Sequence, residues 1–238
     1  MRRVLILQAG SADDAMRKRF GDYPAWFARL MATRVEIRVV RPYEEPLPPL
    51  GRFDGVVMTG SAKSAVEPEP WMDVASTYLI DAARSRPVLG VCFGHQLIAK
   101  ALGARVERNP RGREAGTTDV HLTEAGAGDP LFAGVPRTFA AQQTHEDHVA
   151  ALPDGATLLA GNDFSPVQAY AVGEAVRCVQ FHPEMDTDRS RALAELRRER
   201  LDRQTPGGAR HVLASIRVSP DAERVIANWL ERFVGVAR

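Results

Sequence analysis

Three short apolar-rich runs, each ending at a glycine-containing turn, are the feature of this sequence that most restricts its fold. They are Val4–Leu7, Phe53–Met58 and Pro87–Val91. Short apolar runs are typical of strands buried on both faces of a parallel sheet. Apolar residues at helical spacing lie between the runs, at Tyr23–Met31 and Trp71–Arg84. The chain is therefore predicted to be an α/β protein with a mostly parallel central sheet flanked by helices.

The middle third of the chain changes pattern and predicts a small antiparallel extension of this sheet. Short strand-like runs separated by Gly or Pro lie between residues 118 and 181. A C-terminal helical segment is expected from about residue 186, with a charged helix at Arg189–Arg203 and an amphipathic helix at Pro220–Phe233. We expect residues 1–238 to form a single domain.

Charge and composition argue against several classes of function. The formal net charge of the 238 residues is +1, so no nucleic-acid surface is expected. No apolar run approaches 18 residues, so no membrane span is predicted. Two cysteines favour a reducing, cytoplasmic setting over a disulfide framework. The six histidines lack metal-ligand spacing and no P-loop is present, so neither a metal nor another cofactor is expected.

The segment Gly90-Val91-Cys92-Phe93-Gly94 has the Gly-x-Cys-x-Gly spacing of a nucleophile elbow. Small residues two before and two after the nucleophile permit a tight turn from strand to helix. Such a turn places the sulfur at the carboxyl edge of the sheet and at a helix N-terminus, where negative charge is stabilised. Taken alone the spacing is a weak signal, because cysteines are commonly small buried hydrophobes. Cys178, without flanking glycines, is predicted to be a core residue.

A base for this thiol is predicted at His182, which follows the apolar run Val176–Phe181. If that strand pairs with the strand before Cys92, both side chains reach the same sheet edge. Pro183 ends the strand ladder, and Glu184 is placed to hydrogen-bond the imidazole and fix its tautomer. Cys, His and an orienting carboxylate together form the arrangement of a catalytic triad.

Four segments together resemble the class I (triad-type) glutamine amidotransferases, most closely their stand-alone GMP-synthase-like members. The segments are GVCFGHQ at 90–96, QFHPE at 180–184, MTGSAKS at 58–64 and QTHEDHV at 143–149. Their order and spacing are specific, whereas the tail beyond Asp186 carries no such motif. The resemblance implies a flavodoxin-like class I glutamine amidotransferase fold.

The resemblance also implies a mechanism. Cys92 attacks the side-chain amide of glutamine, His182 protonates the leaving ammonia and then activates water, and Glu184 orients His182. A γ-glutamyl thioester forms on the sulfur and is hydrolysed to glutamate.

Further site residues follow from the same resemblance. The oxyanion would be bound by backbone N–H groups of Phe93 and of the Gly60-Ser61 turn. Substrate would be held by Gln96 and by a loop at 144–147. The residues implied in that loop are Thr144, His145 and Asp147.

Two positions depart from the family pattern. Many relatives carry Gly-Gly-Pro where this chain has Gly60-Ser61-Ala62, and the Cβ of Ser61 restricts the flipping of that turn. Many also carry Gly where this chain has Glu146. A carboxylate there either repels the α-carboxylate of the substrate, points to solvent, or selects a different γ-glutamyl compound. Plant γ-glutamyl peptidases share the Gly-Ser type of turn.

Three functions are compatible with these residues. The first is a glutaminase that releases ammonia to a separate synthase subunit. The second is a γ-glutamyl peptidase or hydrolase that uses the same triad on another γ-glutamyl compound. The third is a catalytically idle relative with a binding or regulatory role, against which the intact Cys92, His182 and Glu184 argue.

Overall fold

A computed structural model describes residues 1–237 of the chain, so Arg238, the last residue of the expected domain, lies outside the described residues. The strands are, in chain order, β1 (Arg3–Leu7), β2 (Glu36–Val40), β3 (Gly55–Met58), β4 (Val88–Val91), β5 (Val106–Arg108), β6 (Glu114–Leu122), β7 (Thr138–His145), β8 (Asp147–Val149), β9 (Ala156–Gly161), β10 (Ala169–Val172) and β11 (Val176–Val179). The α-helices are α1 (Asp14–Phe20), α2 (Tyr23–Met31), α3 (Pro70–Ala83), α4 (Phe93–Ala101), α5 (Glu124–Gly128), α6 (Thr187–Leu196), α7 (Arg198–Gln204), α8 (Gly208–Ser215) and α9 (Pro220–Trp229).

The central sheet has the strand order β2-β1-β3-β4-β11-β10-β9-β6-β7 within residues 1–237. The first five of these strands are parallel, and the other four are joined by antiparallel pairings. Every residue of β3, β4 and β11 is buried, as expected for parallel strands covered on both faces. The predicted mostly parallel sheet with an antiparallel extension is therefore confirmed. The extension is larger than expected, and β5 and β8 form a separate pair.

Helices cover both faces of the sheet with large apolar side chains. On one face, Phe27 of α2 and Trp229 of α9 belong to the same buried cluster as Val57 and Val91. On the other face, α3 and α4 pack their apolar residues against the other side chains of the same strands. This two-sided burial fixes where each parallel strand ends, and hence where the residues that follow it are placed. None of the helices in the described part of the chain is long and apolar enough to cross a membrane.

The C-terminal segment differs from its prediction in detail. The prediction of a single helix over Arg189–Arg203 is wrong, because α6 ends at Leu196 and α7 begins at Arg198. Arg197 lies between them with φ −101° and ψ 21°. The bend lets apolar residues of α6, α7 and α8 form their own buried cluster, which includes Ala194, Leu201 and Val212. The final helix continues past Trp229 as a π-helical turn over Leu230–Val234.

Candidate active site

Three neighbouring parallel strands, β3, β4 and β11, end at the same edge of the sheet. In the strand register Met58 lies beside Gly90, and Val91 lies beside Val179. Cys92 follows β4, and its backbone N–H donates to the carbonyl of Val179 at 2.9 Å. The predicted pairing of the Cys92 strand with the His182 strand is therefore confirmed.

The backbone at Cys92 has the conformation of a tight elbow. Its φ is +50° and its ψ is −102°, and no other non-glycine residue in positions 1–237 has a positive φ. A Cβ on Gly90 would lie 2.8 Å from the carbonyl oxygen of Gly94, and one on Gly94 would lie 2.4 Å from that of Met58. Both flanking glycines are thus required by close backbone approach. The helix α4 begins at the next residue, so the sulfur lies at a helix N-terminus.

His182 and Glu184 form a buried pair beside this elbow. The Nδ1–H of His182 donates to Oε1 of Glu184 at 2.7 Å, and their side chains are 7% and 2% exposed. Burial lowers the pKa of His182, but the charge of Glu184 and the neighbouring Cys92 outweigh it and raise that pKa to about 10. The other nitrogen, Nε2, makes no hydrogen bond of good geometry within the described residues. It is therefore free to exchange a proton.

The turn after β3 packs directly against Cys92 and His182. A Cβ on Gly60 would lie 2.9 Å from Cε1 of His182 and 3.4 Å from Cβ of Cys92. Within residues 1–237, the backbone N–H groups of Gly60, Ser61 and Phe93 donate no hydrogen bond. Unpaired N–H groups next to a nucleophile are the donors that an oxyanion needs.

Ser61 contributes its side chain to the turn rather than to the sulfur. Its Oγ donates to the carbonyl of Ala9 at 3.0 Å and accepts from the N–H of Lys63 at 3.0 Å. The serine that replaces the glycine of many relatives therefore ties this turn to the loop after β1. The tie restricts rotation of the Gly60-Ser61 peptide.

A cavity of about 240 Å³ is lined by Cys92 and by every residue implied in substrate binding. Those residues are Gln96, Thr144, His145 and Asp147. The expected loop at 144–147 is wrong, because β7 continues to His145 and β8 begins at Asp147. Only Glu146 separates the two strands, and the backbone on either side of it pairs with β6 or β5.

The carboxylate of Asp147 is already occupied by protein donors. Its Oδ2 accepts from Oγ of Ser64 at 2.6 Å and from the N–H of Ala65 at 3.0 Å. The side-chain amide of Gln96 donates to the carbonyl of Asp147 at 2.8 Å and to Oε1 of Gln180 at 3.0 Å. Gln96 and Asp147 thus hold the elbow helix, β8 and the 61–65 turn together.

A buried polar network behind the cavity was missed by sequence reasoning. Glu114 accepts from Nε2 of His145, Nε2 of Gln168 and Nδ2 of Asn162, at 3.0, 3.0 and 2.6 Å. Burial raises the pKa of Glu114, but hydrogen bonding to His145 and other donors holds it below the usual range. No local sequence signal distinguishes this carboxylate, because its partners come from distant strands. The network fixes the orientation of the His145 ring.

Glu146, the second departure from the family pattern, lines the cavity and faces arginines. Its carboxylate lies 2.8 Å from Arg113, 3.4 Å from Arg200 and 3.7 Å from Arg108. We call these three residues the arginine wall. Burial, and next the charge of Arg200, lower the pKa of Arg113 to about 10. Glu146 therefore does not point freely to solvent, and its negative charge is more than balanced by its neighbours.

The remaining cysteine and the elbow histidine are structural. Cys178 is fully buried, and burial raises the pKa of its thiol to about 12, as expected for a core residue. His95 is also fully buried, packs against the ring of Tyr170, and has a pKa lowered by burial to about 3. No group of three or more His, Cys, Asp or Glu side chains is arranged to hold a metal ion in the described chain.

The fold and the site define an α/β protein with a cysteine elbow facing a His–Glu pair at one sheet edge. The family model of class I glutamine amidotransferases matches residues 25–195, more than half of the chain. The chain therefore belongs to the class I glutamine amidotransferase family, and the resemblance found in the sequence is confirmed.

The relatives of this chain include two groups of hydrolytic enzymes. Gamma-glutamyl peptidase 4 of Arabidopsis thaliana is 29% identical over 198 residues, which cover 79% of this chain and 77% of the peptidase. A glutamine-hydrolyzing GMP synthase of Aeropyrum pernix is 35% identical over 176 residues, covering 69% of this chain. The match spans only 32% of that synthase. A solved glutamine amidotransferase of Thermotoga maritima has the same fold, with a TM-score of 0.77, 24% identity and 98% coverage of both chains.

Proposed function

We propose that this enzyme hydrolyses the amide bond of a γ-glutamyl compound through Cys92, His182 and Glu184, with glutamine as the simplest substrate. The observation that carries the proposal is the strained elbow at Cys92 beside a buried His182–Glu184 pair with a 2.7 Å hydrogen bond. A backbone conformation this unfavourable for a non-glycine residue is found mainly at functional sites. Two free, buried cysteines are compatible with a reducing compartment, and we propose the cytoplasm.

The reaction proceeds in two steps at the sulfur. The Cys92 thiolate attacks the γ-carbonyl carbon, a C–S bond forms, and the C–N bond breaks as His182 gives its proton to the leaving nitrogen. Water then attacks the γ-glutamyl thioester, His182 accepts a proton from that water, and the C–S bond breaks to release glutamate. Glu184 stabilises the imidazolium and holds the tautomer throughout.

The negative oxygen of each tetrahedral intermediate needs donors. The unpaired N–H groups of Phe93 and of the Gly60-Ser61 turn support an oxyanion hole at this position. Loss of one such donor typically costs on the order of 3 kcal/mol of transition-state stabilisation. Gln96, Thr144, His145 and Asp147 would shape the part of the cavity that holds the substrate.

A second candidate, hydrolysis of γ-glutamyl peptides, is favoured by the arginines that line the cavity. The relative from Arabidopsis thaliana is named a gamma-glutamyl peptidase, which supports the same choice. If glutamine is the substrate, a separate synthase subunit would receive the ammonia. The glutamine-hydrolyzing GMP synthase relatives support that partner.

The test measures ammonia and glutamate after incubation with glutamine and with γ-glutamyl dipeptides. Glutamate and ammonia from glutamine support the glutaminase, and cleavage of dipeptides alone supports the peptidase. Cys92→Ala and His182→Ala should abolish turnover, whereas Cys178→Ala, at the buried core cysteine, should retain it. Full activity of Cys92→Ala would refute the triad. If the wild-type protein turned over neither substrate, the result would support a catalytically idle protein with a binding or regulatory role.

A further inference from the structure

The arginine wall carries more positive charge than its acidic neighbours neutralise. Three guanidinium groups share the single carboxylate of Glu146, and within residues 1–237 only Arg108 of the three has a further acidic partner, Glu67. One positive charge therefore remains unbalanced on this part of the cavity lining. We assign the unbalanced charge to Arg200, since the closest contact of its guanidinium group is the neutral side chain of Gln204 at 2.8 Å.

The wall and Cys92 line the same cavity. The chain leaves His182 and Glu184, forms α6, and then contributes Arg197, between α6 and α7, and Arg200, on α7, to the cavity lining. In the proposed mechanism the leaving group departs from the carbon bound to Cys92, so it occupies the cavity that the arginines line.

The position of Arg200 in the chain gives a second argument. The match to the family model, which we call the shared region, ends at residue 195, and Arg197, Arg200 and Gln204 line the cavity from beyond it. Residues that bind the amino-acid end common to γ-glutamyl substrates are expected inside the shared region. Side chains from outside the shared region are suited to bind the leaving group that a substrate carries in addition to its γ-glutamyl group.

We propose that the arginine wall, through Arg200, binds a carboxylate on the leaving group, so that the preferred substrate is a γ-glutamyl amino acid or short peptide. The proposal rests on the hydrolysis proposed for Cys92. Arginine binds carboxylates in a planar, two-point geometry, which suits recognition of a free C-terminus. Water adds across the γ-amide, His182 protonates the leaving nitrogen, and the amino acid departs with a free amino group and its carboxylate unchanged.

Binding to a Cys92→Ala protein tests this without requiring turnover. Calorimetry would compare γ-glutamylglycine, which carries a leaving-group carboxylate, with γ-glutamyl methylamide, which lacks one. We expect γ-glutamylglycine to bind more tightly, and Arg200→Gln to weaken its binding about tenfold. Binding of the methylamide should change less than about twofold. Arg198→Gln is the matched control, since Arg198 is exposed on the same helix and does not line the cavity.

Three outcomes would overturn the proposal. Equal weakening of both ligands by Arg200→Gln would assign the arginine to the shared α-carboxylate. No weakening of either, or no binding of γ-glutamylglycine at millimolar concentration, would remove the wall from recognition. Arg108→Gln provides a second variant on a half-exposed side chain, should Arg200→Gln fail to fold. A wild-type enzyme that binds γ-glutamylglycine selectively through Arg200 but never cleaves it would refute the proposed hydrolysis and leave only the carboxylate binding by Arg200.

Discussion

Replacing Gly94 by alanine tests whether the spacing between β3 and the elbow helix controls both stability and chemistry. The new Cβ would lie 2.4 Å from the carbonyl oxygen of Met58, about 1 Å short of an ordinary van der Waals contact of 3.4 Å. Backbone atoms on both sides prevent a side-chain rearrangement, so α4 and β3 must separate. Overpacking of this kind costs about 1–3 kcal/mol of unfolding free energy. The better helix propensity of alanine offsets at most about 1 kcal/mol.

The same displacement should reduce catalysis. Met58 precedes the Gly60-Ser61 turn and Gly94 follows Cys92, so a shift of about 1 Å separates the oxyanion donors from the sulfur. A misplacement of that size costs roughly 100-fold in rate. Urea unfolding gives the stability, and glutamate release from a γ-glutamyl substrate gives kcat/KM.

The matched control is Gly128→Ala, at an exposed helical glycine with no atom within 4 Å of the new Cβ. It should be neutral or stabilising by about 0.5–1 kcal/mol. If the Gly94→Ala variant had the same urea midpoint as the wild type, the packing argument would be refuted. Reduced stability with unchanged kcat/KM would refute the link to the site.

Three further predictions concern the residues around the sulfur. Glu184→Gln loses a charge-assisted hydrogen bond of about 1.5–3 kcal/mol, so kcat should fall roughly 10- to 100-fold with little change in KM; a kcat within twofold of wild type would contradict this. His182 has a folded-state pKa of about 10 against a usual value of 6.5. Its contribution to stability is therefore complete below pH 6.5 and is lost as the pH rises through 10. Unfolding free energies measured from pH 6 to 10 should fall more steeply for wild type than for His182→Gln, and parallel curves would exclude the assignment. Ser61→Gly removes the bond to Ala9 and should lower the unfolding free energy by about 1 kcal/mol in urea titrations without lowering kcat, so an unchanged midpoint would show that the tie contributes nothing.

Elements whose sequence pattern is set by burial were predictable, whereas elements held by tertiary contacts were not. The strands β1, β3 and β4 are buried almost throughout, and their apolar runs indicate this directly. The helix α2, Tyr23–Met31, was predicted with the observed bounds because its apolar residues repeat at helical spacing. The short helices α1 and α8 were missed, because their sequences are polar or begin at glycine. Their few apolar side chains are buried by tertiary contacts, those of α1 beside Trp26 and Leu193 and those of α8 beside Leu201 and Ala115.

The candidate site divides in the same way, and the division has a physical cause. Cys92 and the His182–Glu184 pair each belong to a short segment that follows a buried strand, so local motifs place them at one sheet edge. The arginine wall combines residues from the β5 strand, the loop before β6, and α7, nearly a hundred positions apart. No local pattern relates such residues, because only the folded antiparallel extension and the bend at Arg197 bring them to one carboxylate. Sequence therefore predicts the bond to be broken more readily than it predicts which substrate carries that bond.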